Sequence, residues 1–589
     1  MNKKDYFDKN TYVRFLVPTV LALLGSTFSS FGNTLLAGRF LGRDALNMMS
    51  VLSSFTFMYA MTGCLISIGA ASRSSLALGS QDYRTAAEYE WLAMVLSFVV
   101  PILLSLPCVI FFDRFFMLLG ASPEACELGA TYGRLMLAFG FLNTLTYFPF
   151  NYLRLIGRGR YGTYSFGLMG IIDVVLVYAF LRLGLGTVGI ALGYVTSMII
   201  ANGMGLWFLL TKNRIFRISR PRASDVPHML KNVISFGSAS ALNNLCKMLR
   251  TALMNVIVAR FLGKDGVSSL AVGFSIINLA SATVTGFGQA MSPIIGVLRG
   301  EHDRNGQHGT IGVSLRFAIT FHAALAVIIM LFAPQISEFF GISDPEHVRE
   351  TAIVVRLVAV SLIPSAAMNV LIYYYTAIGE NRGARLLTAM HAFVFPVALA
   401  YVHLRIDSSG YYAASFIMAE LLDLAVMAAY AGVRTKASPQ LDGILLEERT
   451  YSEKFFSTTS DGTPDRAVEA SERVVAFCEE NDVNPVLCVK IPLVVEELLV
   501  TLARHCSEGD NARMDVRISL VGEKVVMRIR CEGRIFNPVA WYHDRKQRLT
   551  PEEFMDDDSF SMDVVDKVAK SVEYSNMFDV NNLIVTMGE

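Results

Sequence analysis

Charge is scarce in this chain: 17% of its 589 residues are Asp, Glu, Lys or Arg, against 53% that are hydrophobic. An average soluble protein carries roughly 25% charged residues, so the balance excludes an ordinary soluble globule and points to a membrane protein. Net charge is lacking too, with 51 basic and 51 acidic side chains, which gives no footing for nucleic acid as a partner. The eight cysteines stand singly (Cys64, Cys108, Cys126, Cys246, Cys478, Cys488, Cys506, Cys531). Without a CxxC or Cys/His spacing they suggest no metal site and read as reduced, structural thiols. The N-terminus, MNKKDYFDKN, is charged. The apolar stretch behind it outruns the roughly 7–15 residues of a signal-peptide core and shows no cleavage site, so Met1 onward is expected to be retained.

What is present is a long series of apolar runs. A spanning helix needs about 20 predominantly apolar residues, and that window finds twelve candidates. Six lie near 15–37, 47–70, 91–112, 131–153, 163–181 and 188–210; six more lie near 235–258, 268–291, 313–333, 352–376, 385–403 and 411–433. After Arg434 the apolar runs shorten and charges become frequent. With the N-terminus inside, about fifteen basic residues fall in the inside loops and about eight in the others, which places both termini in the cytoplasm by the positive-inside rule.

The two sets of six are related. GRFLGRDALNMMSV from Gly38 resembles ARFLGKDGVSSLAV from Ala259, pairing Arg39 with Arg260 and Gly42 with Gly263, each 221 residues apart. The same offset carries Gly79 onto Gly300 and Asp82 onto Asp303 without a gap. Six helices, an even number, separate the copies, so the halves are parallel repeats about an axis along the membrane normal. The expected division is an N-lobe at 1–211, a basic cytoplasmic linker at 212–232 and a C-lobe at 233–435. A connector at 436–463 and a separate domain at 464–589 follow.

Over residues 10–435 the sequence resembles the multidrug and toxic compound extrusion (MATE) transporters. The resemblance rests on the GRFLG…GSQD and ARFLG…RGEHD pattern, the 6+6 repeat, and GIIDVVLVYAFLRLGLGTVGIALG in helices five and six. It implies a secondary active transporter rather than an enzyme: an antiporter driven by H+ or Na+ that expels small organic molecules from a bacterium across its inner membrane by rocking one bundle against the other.

Ionisable residues inside a span cost about 2.5–3.5 kcal/mol at the helix centre, so each needs a reason. Asp173 lies midway along helix five and matches the family's helix-five aspartate; it is either protonatable or able to hold sodium, or else a satisfied structural group. The family's other N-lobe acid falls at Asn33, whose amide can coordinate a cation through its carbonyl oxygen but carries no proton. On helix seven Lys247 and Arg250 stand three apart. Facing the cleft they would repel a cation and favour an anionic or zwitterionic substrate; with a later helix start they would snorkel to the cytoplasm. Glu420 and Asp423, three apart on helix twelve, either pair with Lys247 or Arg250 or form an ion site in the C-lobe. His391, ahead of Pro396, reads as a structural histidine at a proline kink.

The tail carries different signals. Asp465–Glu480 and the stretch VVEELLVTLARHC from Val494 read as amphipathic helices. MDVRISLVGEKVVMRIRCEG reads as two strands joined at Gly522–Glu523. A helix near Ser561–Lys570 and strands at VEYS and NNLIVTM complete an α+β sandwich of about 130 residues. This order and its motifs resemble the GHKL (histidine-kinase-like) ATPase fold, closest to the anti-sigma-factor serine kinases. The resemblance puts Glu497 at the catalytic base, Thr501 at the magnesium-binding Asn, and Cys531 at the adenine-reading Asp, with Gly533 retained. The glycine-rich lid has become DDDSFSM, without a glycine from Asp556 to Met562. Threonine is a weaker magnesium ligand, cysteine cannot accept the adenine amino proton as a carboxylate does, and a lid without glycine turns its amides to phosphate poorly. The expected tail is therefore a pseudoenzyme: it uses no ATP or magnesium, Glu497 and His505 serve the fold, and a cytoplasmic regulatory protein is its partner. Two other functions stay open: a flippase for a lipid-linked precursor, or a membrane sensor with a kinase-like output. The second lacks the phosphoacceptor helix and coiled coil it would need.

Overall fold

The computed structural model describes residues 6–588 apart from 42, 113, 115–122, 213–217, 302, 341, 343, 408, 449–453, 461–462, 507–512, 522–523, 556 and 578–579. Part of the expected inter-lobe linker, the Gly522–Glu523 turn and Asp556 of the lid segment thus lie outside the described residues. The chain divides into two compact units, one of residues 12–437 with 443–445, the other built on 446–589.

The first unit is all α. Its first half runs α1 (Tyr6–Leu41), α2 (Arg43–Gly79), α3 (Tyr83–Ile110), α4 (Pro123–Ala138), α5 (Phe141–Leu155), α6 (Gly159–Arg182) and α7 (Gly186–Lys212). The second half runs α8 (Val226–Gly300), α9 (Arg304–Leu331), α10 (Ala333–Phe339), α11 (Pro345–Ala377), α12 (Asn381–Ala389), α13 (Phe395–Ile406) and α14 (Ala414–Ala437). Among the described residues ten helices are long and apolar enough to cross a membrane. One of them, α8, is 75 residues long and breaks at Gly263, whose φ of 64° and ψ of −152° are not helical.

The repeat is visible residue by residue. Gly263 stands one offset beyond position 42, where α1 gives way to α2. Asp82 caps α3 by accepting from Thr85 N at 3.0 Å, and Asp303 caps α9 by accepting from Gly306 N at 2.9 Å. Both helices are 28 residues long. A capping aspartate satisfies a backbone donor that the helix start leaves open, so the conserved offset fixes where each third helix begins.

Two expected spans are interrupted. Around 131–153 the helix stops at Gly140, where an added Cβ would lie 2.0 Å from the Tyr59 ring; the Tyr59 hydroxyl donates to the Leu137 carbonyl at 3.2 Å. The span at 385–403 contains a π-helical turn, Met390–Val394. Pro396 has no N–H for the α-helical rung to Ala392, and the wider turn absorbs that loss.

The halves meet through α2 and α8. A Cβ on Gly69 would lie 2.2 Å from Val233 O, and one on Gly237 only 1.8 Å from Leu65 O. Gly79 against Val297 O (2.1 Å) and Gly300 against Leu76 O (2.2 Å) repeat the arrangement at the ends of both helices. Small residues let helix backbones touch, which in a lipid setting is the main source of helix association.

The second unit is an antiparallel sheet of order β1-β2-β3-β5-β4, with β1 Phe455–Ser460, β2 Met514–Val521, β3 Lys524–Glu532, β4 Ser571–Met577 and β5 Val580–Met587. Its helices are α15 (Pro464–Glu480), α16 (Pro485–Cys506), α17 (Pro538–Arg548), α18 (Pro551–Met555) and α19 (Phe560–Val568). Val494, Val495, Leu498, Leu499 and Leu502 of α16 share one core with Met514, Val516, Ile518, Met527 and Ile529 of the sheet. Val521 opposes Lys524, as a hairpin joined at 522–523 requires. The expected connector is corrected here: its residues 455–460 form an edge strand registered from Phe455↔Ser519 to Ser460↔Met514. A cross-strand partner about 60 residues away supplies the hydrogen bonds that make this polar FFSTTS segment a strand.

Candidate functional site

The first unit encloses a cavity of about 820 Å³ between its halves, beyond the glycine contacts. Its wall takes serines, threonines and Asn33 from α1, tyrosines 132, 147 and 194 from the first half, and Ser240, Asn244, Lys247 and Tyr373 from the second. Among the described residues lining it, Lys247 alone carries a formal charge.

One layer behind that wall sits Asp173, fully buried on α6. Ser29 Oγ donates to its Oδ2, and Asn33 Nδ2 donates to the same oxygen at 2.7 Å. Both partners line the cavity. Asp173 Oδ1 and Asn33 Oδ1 are buried oxygens with no hydrogen-bond partner. Helices α1 and α6 come this close because of glycine: a Cβ on Gly25 would stand 2.3 Å from Gly167 O, and one on Gly170 only 1.8 Å from Gly25 O. Asp173 and Ser29 follow Gly170 and Gly25 by about one helical turn, so the backbone contact carries their side chains together. Ser29 escaped the sequence reading; only its place one turn before Asn33 signals it.

The Lys247–Arg250 pair is split. Helix α8 begins at Val226, so both residues lie deep within it and the snorkelling alternative does not hold. Lys247 reaches the cavity. Arg250 does not: it is buried with its guanidinium carbon 5.7 Å from the Phe274 ring centroid and 5.8 Å from that of Phe416. Three residues leave two side chains about 60° apart around the helix axis, so Lys247 falls on the cavity edge of that face and Arg250 on its bundle edge.

Glu420 and Asp423 form no ion pair with Lys247 or Arg250 among the described residues. Glu420 Oε2 instead lies 2.8 Å from His391 Nδ1, and Asn369 Nδ2 lies 3.2 Å from His391 Nε2. His391 is therefore not a lone histidine at a kink. Its partners stand 22 and 29 residues away on other helices, beyond the reach of local pattern.

In the second unit the residues matched to a nucleotide site are packed into the fold. Cys531 is fully buried, and the neighbouring Cys506 together with burial pushes its thiol up. Gly533, at φ 127°, approaches so closely that a Cβ would lie 2.0 Å from Cys506 O. Thr501 Oγ1 is 2.9 Å from Ser561 Oγ of the lid segment, and Arg504 pairs with Asp558 of that segment at 2.6 Å. His505 stacks on Phe536 with ring centroids 4.2 Å apart and tilts against Trp541 at 4.6 Å. Burial and then Glu496 raise the Glu497 carboxyl above its ordinary value.

Paired all-α halves around a polar cavity define an integral membrane protein of the two-lobed transporter class. The MatE family model matches residues 18–179 and 239–402, more than half of the sequence, and the chain belongs to the MatE family, whose members are multidrug efflux transporters. It is 22% identical over 408 residues to the multidrug export protein MepA of Staphylococcus haemolyticus, covering 67% of this chain and 87% of that one. It is 22% identical over 339 residues to an FAD transporter of Shewanella oneidensis, covering 56% and 74%. Among solved structures, an outward-facing multidrug resistance MATE transporter of the MOP superfamily aligns with a TM-score of 0.69 at 20% identity, over 74% of this chain and 99% of that one. A MOP superfamily transporter from Pyrococcus furiosus, described as having a binding pocket of reverse polarity, aligns at 0.67 with the same identity and coverage.

Proposed function

We propose that the protein is an antiporter that exports small organic molecules in exchange for H+ or Na+, and that its substrate is an anion or zwitterion. The observation carrying the ion coupling is the pair of bare buried oxygens, Asp173 Oδ1 and Asn33 Oδ1, one layer behind the cavity wall. A buried carboxylate held only by neutral hydroxyl and amide donors is costly and is relieved by a proton or a cation. Asn33 carries no proton, so a single carboxylate bears the charge change, and its carbonyl oxygen adds a ligand for sodium. Uptake of the ion alters the hydrogen bonds of Ser29 and Asn33, both of which face the substrate.

The substrate's charge follows from Lys247. A cation on a polar wall with no acidic side chain among the described lining residues attracts anions and repels cationic drugs. The relative named for FAD, a molecule with an anionic pyrophosphate, is in keeping with this. Lys247 equally suits the headgroup of a lipid-linked precursor, although Arg250 no longer supports that second reading. We count twelve spans, taking α8 as two across Gly263 and α4–α5 as one, with both termini in the cytoplasm of a bacterium. We assign the tail a GHKL-type fold serving regulation, because Thr501 and Cys531 fit neither magnesium nor adenine and already have partners in the fold.

Reconstituted protein, assayed for export of matched anionic and cationic dyes and for transfer of a labelled anionic lipid, tests the substrate reading. Anionic dye should be preferred, and Lys247→Glu should invert the order. A preference that Lys247→Glu leaves unchanged refutes the assignment, and transfer of the lipid with no dye export decides for the flippase.

A further inference from the structure

The second half holds buried polar groups that the transport reading leaves unused. His391 stands in the π-helical turn, Glu420 and Asp423 lie three residues apart on α14, and Asn369 lies on α11. Asp423 is fully buried, and neither of its carboxylate oxygens has a hydrogen-bond partner. One ligand atom from each of His391, Glu420 and Asp423 lies within 4.8 Å of the others. None of the three lines the central cavity.

A proton does not resolve this arrangement. It would sit on one Asp423 oxygen and leave the other without a partner. An ion placed among the three groups can touch them all after a small closure: bonds of about 2.0–2.2 Å put ligand atoms about 3.3–3.6 Å apart in a tetrahedral site, and these already lie within 4.8 Å of one another. The donor set then selects the ion. Magnesium and calcium take oxygen ligands throughout, whereas an imidazole with two carboxylates suits zinc and neighbouring first-row divalent metals. We propose that His391, Glu420 and Asp423 bind a divalent transition-metal ion of this kind, and that Asn369 orients the imidazole from behind.

The two carboxylates balance the ion's charge. For Nδ1 to ligate, the proton between it and Glu420 must move to Nε2. Asn369 can accept it there by turning its amide so that Oδ1 faces the ring, which gives up its 3.0 Å bond to the Ser365 carbonyl. Such outer partners of a ligating histidine typically change metal affinity by about 10–100-fold. Arg250 interacts electrostatically with Glu420. Its surplus positive charge weakens the site relative to a closed structural one, so the ion is expected to exchange. The π turn contributes by rotating His391 out of the register an uninterrupted α-helix would give it, a frequent use of such turns.

The test is zinc binding by the purified full-length protein in detergent, stripped with chelator and titrated by equilibrium dialysis in excess sodium. Wild type should bind one equivalent, with X-ray absorption showing a single imidazole and oxygen ligands. Asp423→Asn and His391→Gln should each weaken binding at least tenfold. Asn369→Asp should strengthen it about tenfold, because a carboxylate accepts the Nε2 proton without an amide flip. That gain cannot come from misfolding, which guards against the case where the other two variants unfold. Wild type without stoichiometric zinc, or all three variants binding as wild type does, overturns the proposal.

Discussion

Gly170→Ala should uncouple the ion site without touching a polar residue. The new Cβ would stand 1.8 Å from the Gly25 carbonyl oxygen, where real Cβ contacts essentially never fall under 3.0 Å. Helices α1 and α6 must therefore part by about 1.2 Å at this point, an overpacking that costs about 1–3 kcal/mol. Asp173 and Ser29 lie one turn further on, so the same displacement stretches the 2.7 Å Asn33–Asp173 bond to about 3.9 Å, beyond hydrogen-bond range. Losing a hydrogen bond to a charged group is worth about 1.5–3 kcal/mol, roughly a tenfold to hundredfold change in an equilibrium constant. In reconstituted vesicles the driving-ion concentration for half-maximal export should shift by about tenfold or more, upward for sodium, which loses its Asn33 ligand, and downward for a proton, which the less hydrogen-bonded carboxylate holds more tightly. Gly203→Ala is the control, since nothing lies within 4 Å of its added Cβ. A Gly170→Ala protein with the ion dependence of wild type would show that the α1–α6 contact does not position Asp173.

The remaining predictions concern the tail. Leu498, fully buried on α16, should cost about 2–5 kcal/mol of tail stability as Leu498→Ala, read by limited proteolysis of the full chain. Asp563 accepts from Tyr542, Lys546 and Lys567, each at 2.7 Å, and the two lysines hold its carboxyl below the ordinary carboxylate value. A lowered folded-state value means stability present above the unfolded pKa of about 3.9 and lost as pH falls below it. Asp563→Asn should therefore make the tail more protease-sensitive at neutral pH, with the difference from wild type closing on acidification below about pH 4. Nucleotide titration of the full chain should show no magnesium-dependent ATP binding; micromolar binding would sink the assignment of Thr501 and Cys531.

The parts of this fold that were legible in the sequence share one cause: they are fixed by local chemistry. Asp82 and Asp303 start equivalent helices because a capping carboxylate acts within three residues. The hairpin around 522–523 follows from alternating residues on either side of it. What stayed hidden depends on partners far along the chain. The strand at 455–460 exists through its pairing with 514–519. The separation of Lys247 from Arg250 depends on where the second half places Phe274 and Phe416. His391 looked ordinary because Glu420 and Asn369 reach it from two other helices. At Asp173 the family resemblance picked out the aspartate and Asn33, while the glycine contacts that bring them together emerge only from helix packing.

Whether Asp173 couples an ion gradient to export is the point on which the account turns. The decisive measurement is anionic dye export from reconstituted vesicles under separately imposed proton and sodium gradients, with wild type and Asp173→Asn side by side. The account predicts that one of the two gradients drives export by wild type, and that Asp173→Asn still binds the dye but no longer responds to that gradient. Gradient-driven export that survives Asp173→Asn unchanged would contradict it.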